Sequence, residues 1–102
     1  VPFAHWVLPT AAYVEKDGTF VNCHGRVQRI GRAFAPLKDA REDWRLLLDL
    51  AGRLGQPLAF RGPQEIFGAL AKASNHFEGL SYETIGSQGA DISVEAPEMM
   101  DP

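Results

Sequence analysis

Asn22, Arg26 and Gln28 form the one polar cluster of this chain with a claim to binding, two amides and a guanidinium spread over Asn22-Cys23-His24-Gly25-Arg26-Val27-Gln28. Groups of this kind are directional donors, and a charged guanidinium makes the stronger bonds. The plainer expectation, and the preferred one, is that all three tie their own segment to neighbouring backbone. Metal chemistry is poorly served. A zinc site needs about four well-placed N or S ligands, whereas Cys23 and His24 are adjacent and His5 and His76 lie far off in sequence. No metal site is expected. A Cys23-His24 nucleophile pair fails as well, because adjacent residues on an extended segment point to opposite faces. Glu42 and Asp43 are explained by the attraction of carboxylates to a helix N-terminus. Gly86-Ser87-Gln88-Gly89 follows a helix-like turn and opens none, contrary to what a phosphate-binding loop requires. No catalytic residue emerges.

These groups need elements to hold them. Asp17-Gly18 and Asn22-Cys23-His24-Gly25 are both turn signals, Gly being free to take positive φ and Asp and Asn able to bond their own backbone. Between and after them Thr19-Phe20-Val21 and Arg26 to Ile30 alternate with strand periodicity. The predicted arrangement is a hairpin with a polar tip. Phe3 to Leu8, ended by Pro9, reads as a short buried strand, and Tyr13 to Lys16 as another, joined through Asp17-Gly18 to Thr19 to Asn22. The return strand is expected to run from Arg26 to Phe34, with Gly31 as a bulge and Pro36 as its stop.

Helices follow. Asp39 with Glu42 three residues later makes a capping-box pattern. Trp44, Leu47, Leu48, Ala51 and Leu54 recur at helical spacing, with Gly55 as the stop. Trp44 on that stripe reads as a core anchor rather than a stacking platform. Leu46 and Leu50 broaden the apolar face, so a partner surface is expected beyond the single core. A second helix opens at Gly62-Pro63, runs through Ile66, Phe67, Leu70 and Ala71, and ends near Ala73 to Asn75. One more helical turn, over Leu80 to Ile85, is capped by Ser81. The fold class is therefore α+β: a small antiparallel sheet, two amphipathic helices and a short third helical turn. Residues 1–89 are read as a single domain and residues 90–102 as an acidic flexible tail or linker.

The chain has 102 residues, 45% hydrophobic and 23% charged, within globular norms for one domain. A formal net charge of −3 argues against a nucleic-acid partner. No apolar run of membrane-spanning length occurs, so no direct membrane insertion is expected, and no signal peptide is evident. The single Cys23 fits a reducing compartment, read as the cytoplasm.

Val7-Leu8-Pro9, Glu15-Lys16-Asp17-Gly18-Thr19-Phe20, Asn22, Arg26-Val27-Gln28 and Asp43-Trp44 together resemble a signature of the molybdopterin oxidoreductase superfamily. Cys23 and His24 depart from the Thr and Glu usual in its turn. Gly25 in that turn implies the large iron-sulfur subunit of bacterial NADH-quinone oxidoreductase (respiratory complex I), and a formate dehydrogenase-type enzyme is the alternative. The short length and the start at Val1 lead us to expect a C-terminal-region fragment of that large subunit, with a scaffold role. By resemblance the parent holds iron-sulfur clusters and lies peripheral to the inner face of the membrane. This piece is expected to carry no cofactor. In the alternative reading a molybdenum pterin would lie near the hairpin, with Asn22, Arg26 and Gln28 as its weak candidate contacts. The partners implied are the rest of the parent subunit and other subunits of the complex. Exposed edges make a homodimer of the isolated fragment possible. A reading of a different class is a free-standing interaction module using its two helices.

Overall fold

The computed structural model describes residues 2–92. In chain order these form a 3-10 turn over Tyr13–Glu15, strands β1 (Gly18–Val21) and β2 (Arg26–Ile30), and helices α1 (Asp43–Arg53) and α2 (Pro63–Ala73). A second 3-10 turn over Asn75–Phe77, a one-turn helix α3 (Tyr82–Ile85) and strand β3 (Ala90–Asp91) complete them. The sheet is antiparallel in the order β1-β2-β3, and the α+β class expected from the sequence is what the chain adopts. The described residues gather into two compact groups, one built from residues 2–18 and 30–63, the other from 19–29 and 64–92.

In the second group the hairpin tip is set by local chemistry. Asn22 Oδ1 accepts the backbone N–H groups of His24 and Arg26, each at 2.9 Å. The Gly25 N–H donates to the Asn22 carbonyl at 3.1 Å, with Gly25 at φ 78°, a conformation that favours glycine. Beyond the tip, β2 pairs with β3 so that Arg26 faces Asp91 and Val27 faces Ala90. Val27 is fully buried and joins Phe67, Tyr82 and Ile85 in the core, with Phe77, Leu80, Ala90 and Ile92 packed around them. The Phe67 ring meets Phe77 edge-on at 6.0 Å between centroids and Tyr82 at 5.7 Å, geometries that aromatic pairs prefer.

Helix α2 begins at Pro63, as its sequence signal predicts, and buries Phe67. Ser81 caps α3 by accepting the Thr84 N–H at 3.2 Å while the Ser81 N–H donates to Thr84 Oγ1 at 2.8 Å. Ala90 and Asp91, assigned to the tail by sequence, form β3 instead. The remainder of the expected tail, from residue 93, lies outside the described residues.

The first group departs more from expectation. Phe3 to Leu8 is not a strand: Phe3 is 96% exposed and Trp6 88%, and pairing begins only at a parallel bridge between Thr10 and Arg41. Tyr13–Glu15 is a 3-10 turn because Glu15 bends back, its Oε1 accepting the Ala12 N–H at 2.8 Å. Its Oε2 accepts the Leu37 N–H at 2.8 Å, so a buried carboxylate staples two loops. Asp17 directs its side chain to the Arg32 N–H at 2.9 Å rather than to a hairpin turn. Strand β2 ends at Ile30, and the N–H groups of Ala33 and Phe34 both turn to the Val14 carbonyl.

Helix α1 starts at Asp43, with Glu42 rather than Asp39 at the N-cap position. Glu42 does not cap with its side chain either, because its carboxylate takes the Trp44 indole N–H and lies 3.8 Å from Arg32. Gly55, at φ 85°, follows the helix end as expected. The apolar stripe of α1 contains no buried residue, and Leu47, Leu50 and Leu54 are exposed. Trp44 is half-buried, so it is a shallow anchor and not the core residue the stripe suggested.

Candidate functional site

The hairpin places Asn22, Arg26 and Gln28 around one tip, but each does different work. Asn22 is exposed, and its carbonyl oxygen is used up by the turn it closes. Arg26 reaches across the chain: Nε donates to the Gln88 carbonyl at 3.1 Å, Nη2 donates to the same oxygen, and Nη1 pairs with Asp91 Oδ1 at 2.8 Å. Gln28 is exposed, one strand position beyond the buried Val27. Asn22 and Arg26 thus bond to backbone of the hairpin and of the 88–91 segment.

Sequence reasoning misses the other half of this clasp. Gln88, Gly89 and Asp91 read as loop and tail, yet Gln88 and Asp91 receive Arg26. Gly89 sits at φ 83°, and a Cβ on it would stand 2.7 Å from the Val27 carbonyl oxygen, 3.0 Å from Gln28 Cγ and 3.3 Å from Arg26 Nε. Only glycine lets the chain pass this close to β2. The signal in sequence is Gly86-Ser87-Gln88-Gly89, which identifies a turn but not what the turn approaches.

The remaining reactive groups are dispersed. His5, Cys23, His24 and His76 are all exposed, with Cys23 and His24 at the hairpin tip. Among the described residues no three His, Cys, Asp or Glu side chains converge as a metal-holding group. Nor is any helix among them long and apolar enough to cross a membrane.

Known proteins are similar to this chain. The molybdopterin oxidoreductase family model matches residues 1–53. The F420-dependent formate dehydrogenase 2 subunit alpha of Methanococcus maripaludis is 40% identical over 94 residues, covering 90% of this chain and 14% of that protein. The "Probable oxidoreductase YjgC" of Bacillus subtilis is 36% identical over 83 residues, 81% of this chain and 8% of the relative. The "Putative formate dehydrogenase" of Staphylococcus aureus strain USA300 is 37% identical over 83 residues, with the same two shares. The chain therefore spans only 8 to 14% of the length of these curated relatives.

These likenesses overturn the assignment to the NADH-quinone oxidoreductase of respiratory complex I, since the relatives are named as formate dehydrogenases or an oxidoreductase. The physical reason is visible at Gly25. It is buried at φ 78° and its N–H closes the Asn22 turn, so a local backbone requirement is enough to account for the glycine, which gives no ground for choosing a subfamily.

Proposed function

This chain belongs to the molybdopterin oxidoreductase family, and from that premise we propose that it is a segment of a formate dehydrogenase-type oxidoreductase. The observation that carries the reading is 40% identity, over 90% of this chain, to a formate dehydrogenase alpha subunit. In this reading the whole enzyme takes two electrons and a proton from formate and leaves carbon dioxide. A molybdenum pterin and iron-sulfur clusters, bound by the parent, supply the redox chemistry.

Much of the segment's polar cluster is engaged within the segment itself. Arg26 directs its guanidinium to Gln88 and Asp91, and Asn22 its side-chain oxygen to the turn, which leaves the NH2 groups of the exposed Asn22 and Gln28 as the cluster's outward-facing donors. Its role is positional: the clasp between β2 and the 88–91 segment holds the hairpin tip in one conformation. The partners in this reading are the rest of the parent subunit and its companion subunits. The exposed residues Phe3, Trp6 and Leu8 are surface for them to cover. A cytoplasmic location accords with the single, unpaired Cys23.

The test is an assay of the full product of the gene that encodes these residues. Formate should reduce an artificial electron acceptor in its presence. Oxidation of NADH with quinone, and none of formate, would refute the proposal.

A further inference from the structure

Beside α1 the first group of residues is hollowed into a depression of about 740 Å³. Pro36, Trp44, Leu48 and Phe60 line it and are half-buried, giving an apolar floor. Arg32, Arg41, Arg45 and Arg61 line it too and are all exposed, giving a charged rim. The acidic residues that line it are Glu42 and Asp49, so the lining carries more positive than negative side chains in a chain whose formal charge is −3. An apolar centre with a polar surround is the anatomy of a protein interface, and Trp and Arg are the residues that most often dominate binding there.

The existing contacts show what the rim accepts. Arg41 Nη1 holds Asp49 Oδ2 at 3.3 Å with both side chains more than half exposed, and Arg32 approaches Glu42 at 3.8 Å. The Arg45 guanidinium lies over the Trp44 ring, 4.9 Å from its centroid. Exposed ion pairs of this kind are weak and exchange readily. A small-ligand site, by contrast, converges buried polar groups on its ligand. Among the described residues no buried side-chain N or O atom lacks a partner. We propose that this depression docks an acidic segment of a partner protein, carboxylates exchanging onto Arg41 and Arg45 and an apolar side chain seated between Trp44 and Phe60. The inference stands apart from the formate reading, because it uses none of the hairpin residues and no redox step.

The full product of the gene that encodes these residues is used, and binding is read by the fluorescence anisotropy of a dye-labelled peptide. The probe is a synthetic octapeptide of six glutamates and two leucines, with pyrophosphate as the small-anion control. The expected result is a saturable rise in anisotropy with the peptide, an affinity that falls as salt rises, and a loss of about tenfold in the double variant Arg41→Glu/Arg45→Glu. Circular dichroism checks that this variant is folded, and Arg41→Gln alone provides a milder version giving a smaller loss. No saturation, or equal affinity in the charge-reversed chain, overturns the proposal. So does pyrophosphate binding more tightly than the peptide, which would make this a small-anion site. Loss of self-association on charge reversal, seen by sedimentation, would make the depression a contact between two copies and overturn it too.

Discussion

Arg26 and Gln88 lie 62 residues apart in sequence, yet two nitrogens of the guanidinium share the Gln88 carbonyl oxygen. The third contact, to Asp91, is an ion pair whose carboxylate is 78% exposed. Bonds from a charged donor to a fixed backbone acceptor outweigh an exposed ion pair. Arg26→Ala should therefore cost about 2 kcal/mol, and Asp91→Ala no more than about 0.5 kcal/mol. Urea unfolding of the two variants compares them. Equal losses would mean that the carboxylate, and not the carbonyl, anchors the hairpin.

Gly89 and Gly55 test the same clasp through the backbone. Both have positive φ, 83° and 85°, but only at Gly89 would a Cβ meet atoms of β2. Gly55→Ala should cost about 1 kcal/mol, the conformational penalty alone. Gly89→Ala should cost at least twice that, since the 2.7 Å approach to the Val27 carbonyl must open. Thermal unfolding of the pair decides the matter, and Gly89→Ala proving the milder change would be incompatible with the β2–β3 contact.

Helix α1 gives a contrast between two acidic residues. Asp39 is exposed and its side chain makes no hydrogen bond among the described residues, whereas Glu42 is 6% exposed and accepts the Trp44 indole N–H. Asp39→Ala should stay within about 0.5 kcal/mol of the parent chain. Glu42→Ala should lose about 2 kcal/mol, because it leaves the indole N–H without its acceptor. A larger effect at Asp39 would restore the capping box that the sequence suggested.

The exposed N-terminal residues lead to a prediction about association. Phe3 and Trp6 are almost fully exposed, and Val7 and Leu8 more than half. An apolar patch of this kind recruits a partner, most simply a second copy. Sedimentation equilibrium should show a mass that rises with concentration, and Phe3→Ser/Trp6→Ser should return it to the monomer. A monomer at all concentrations for the unaltered chain would contradict this.

What the sequence made legible was local. The Asn22 turn, the Pro63 start and the Ser81 cap each depend on residues within four positions of one another, and each formed where its signal lies. Tyr13 to Lys16 was unreadable because a four-residue alternation cannot separate a strand from a turn, and the buried Glu15 decided for the turn. The cap of α1 was displaced because the Trp44 indole competes for the Glu42 carboxylate. Of the candidate site, the donors Asn22 and Arg26 were legible but the Gln88 acceptor was not, being set by tertiary approach across Gly89. The arginine-rimmed depression was invisible for the same reason: Arg32, Arg45 and Arg61 share no periodicity.

The central claim is the formate dehydrogenase-type assignment, and the direct measurement is an electron balance on the full-length gene product. Supplied with isotopically labelled formate and an excess viologen dye, the enzyme should release one labelled carbon dioxide for every two dye molecules reduced by one electron each. Dye reduction that proceeds with NADH and leaves the formate label untouched would contradict the account.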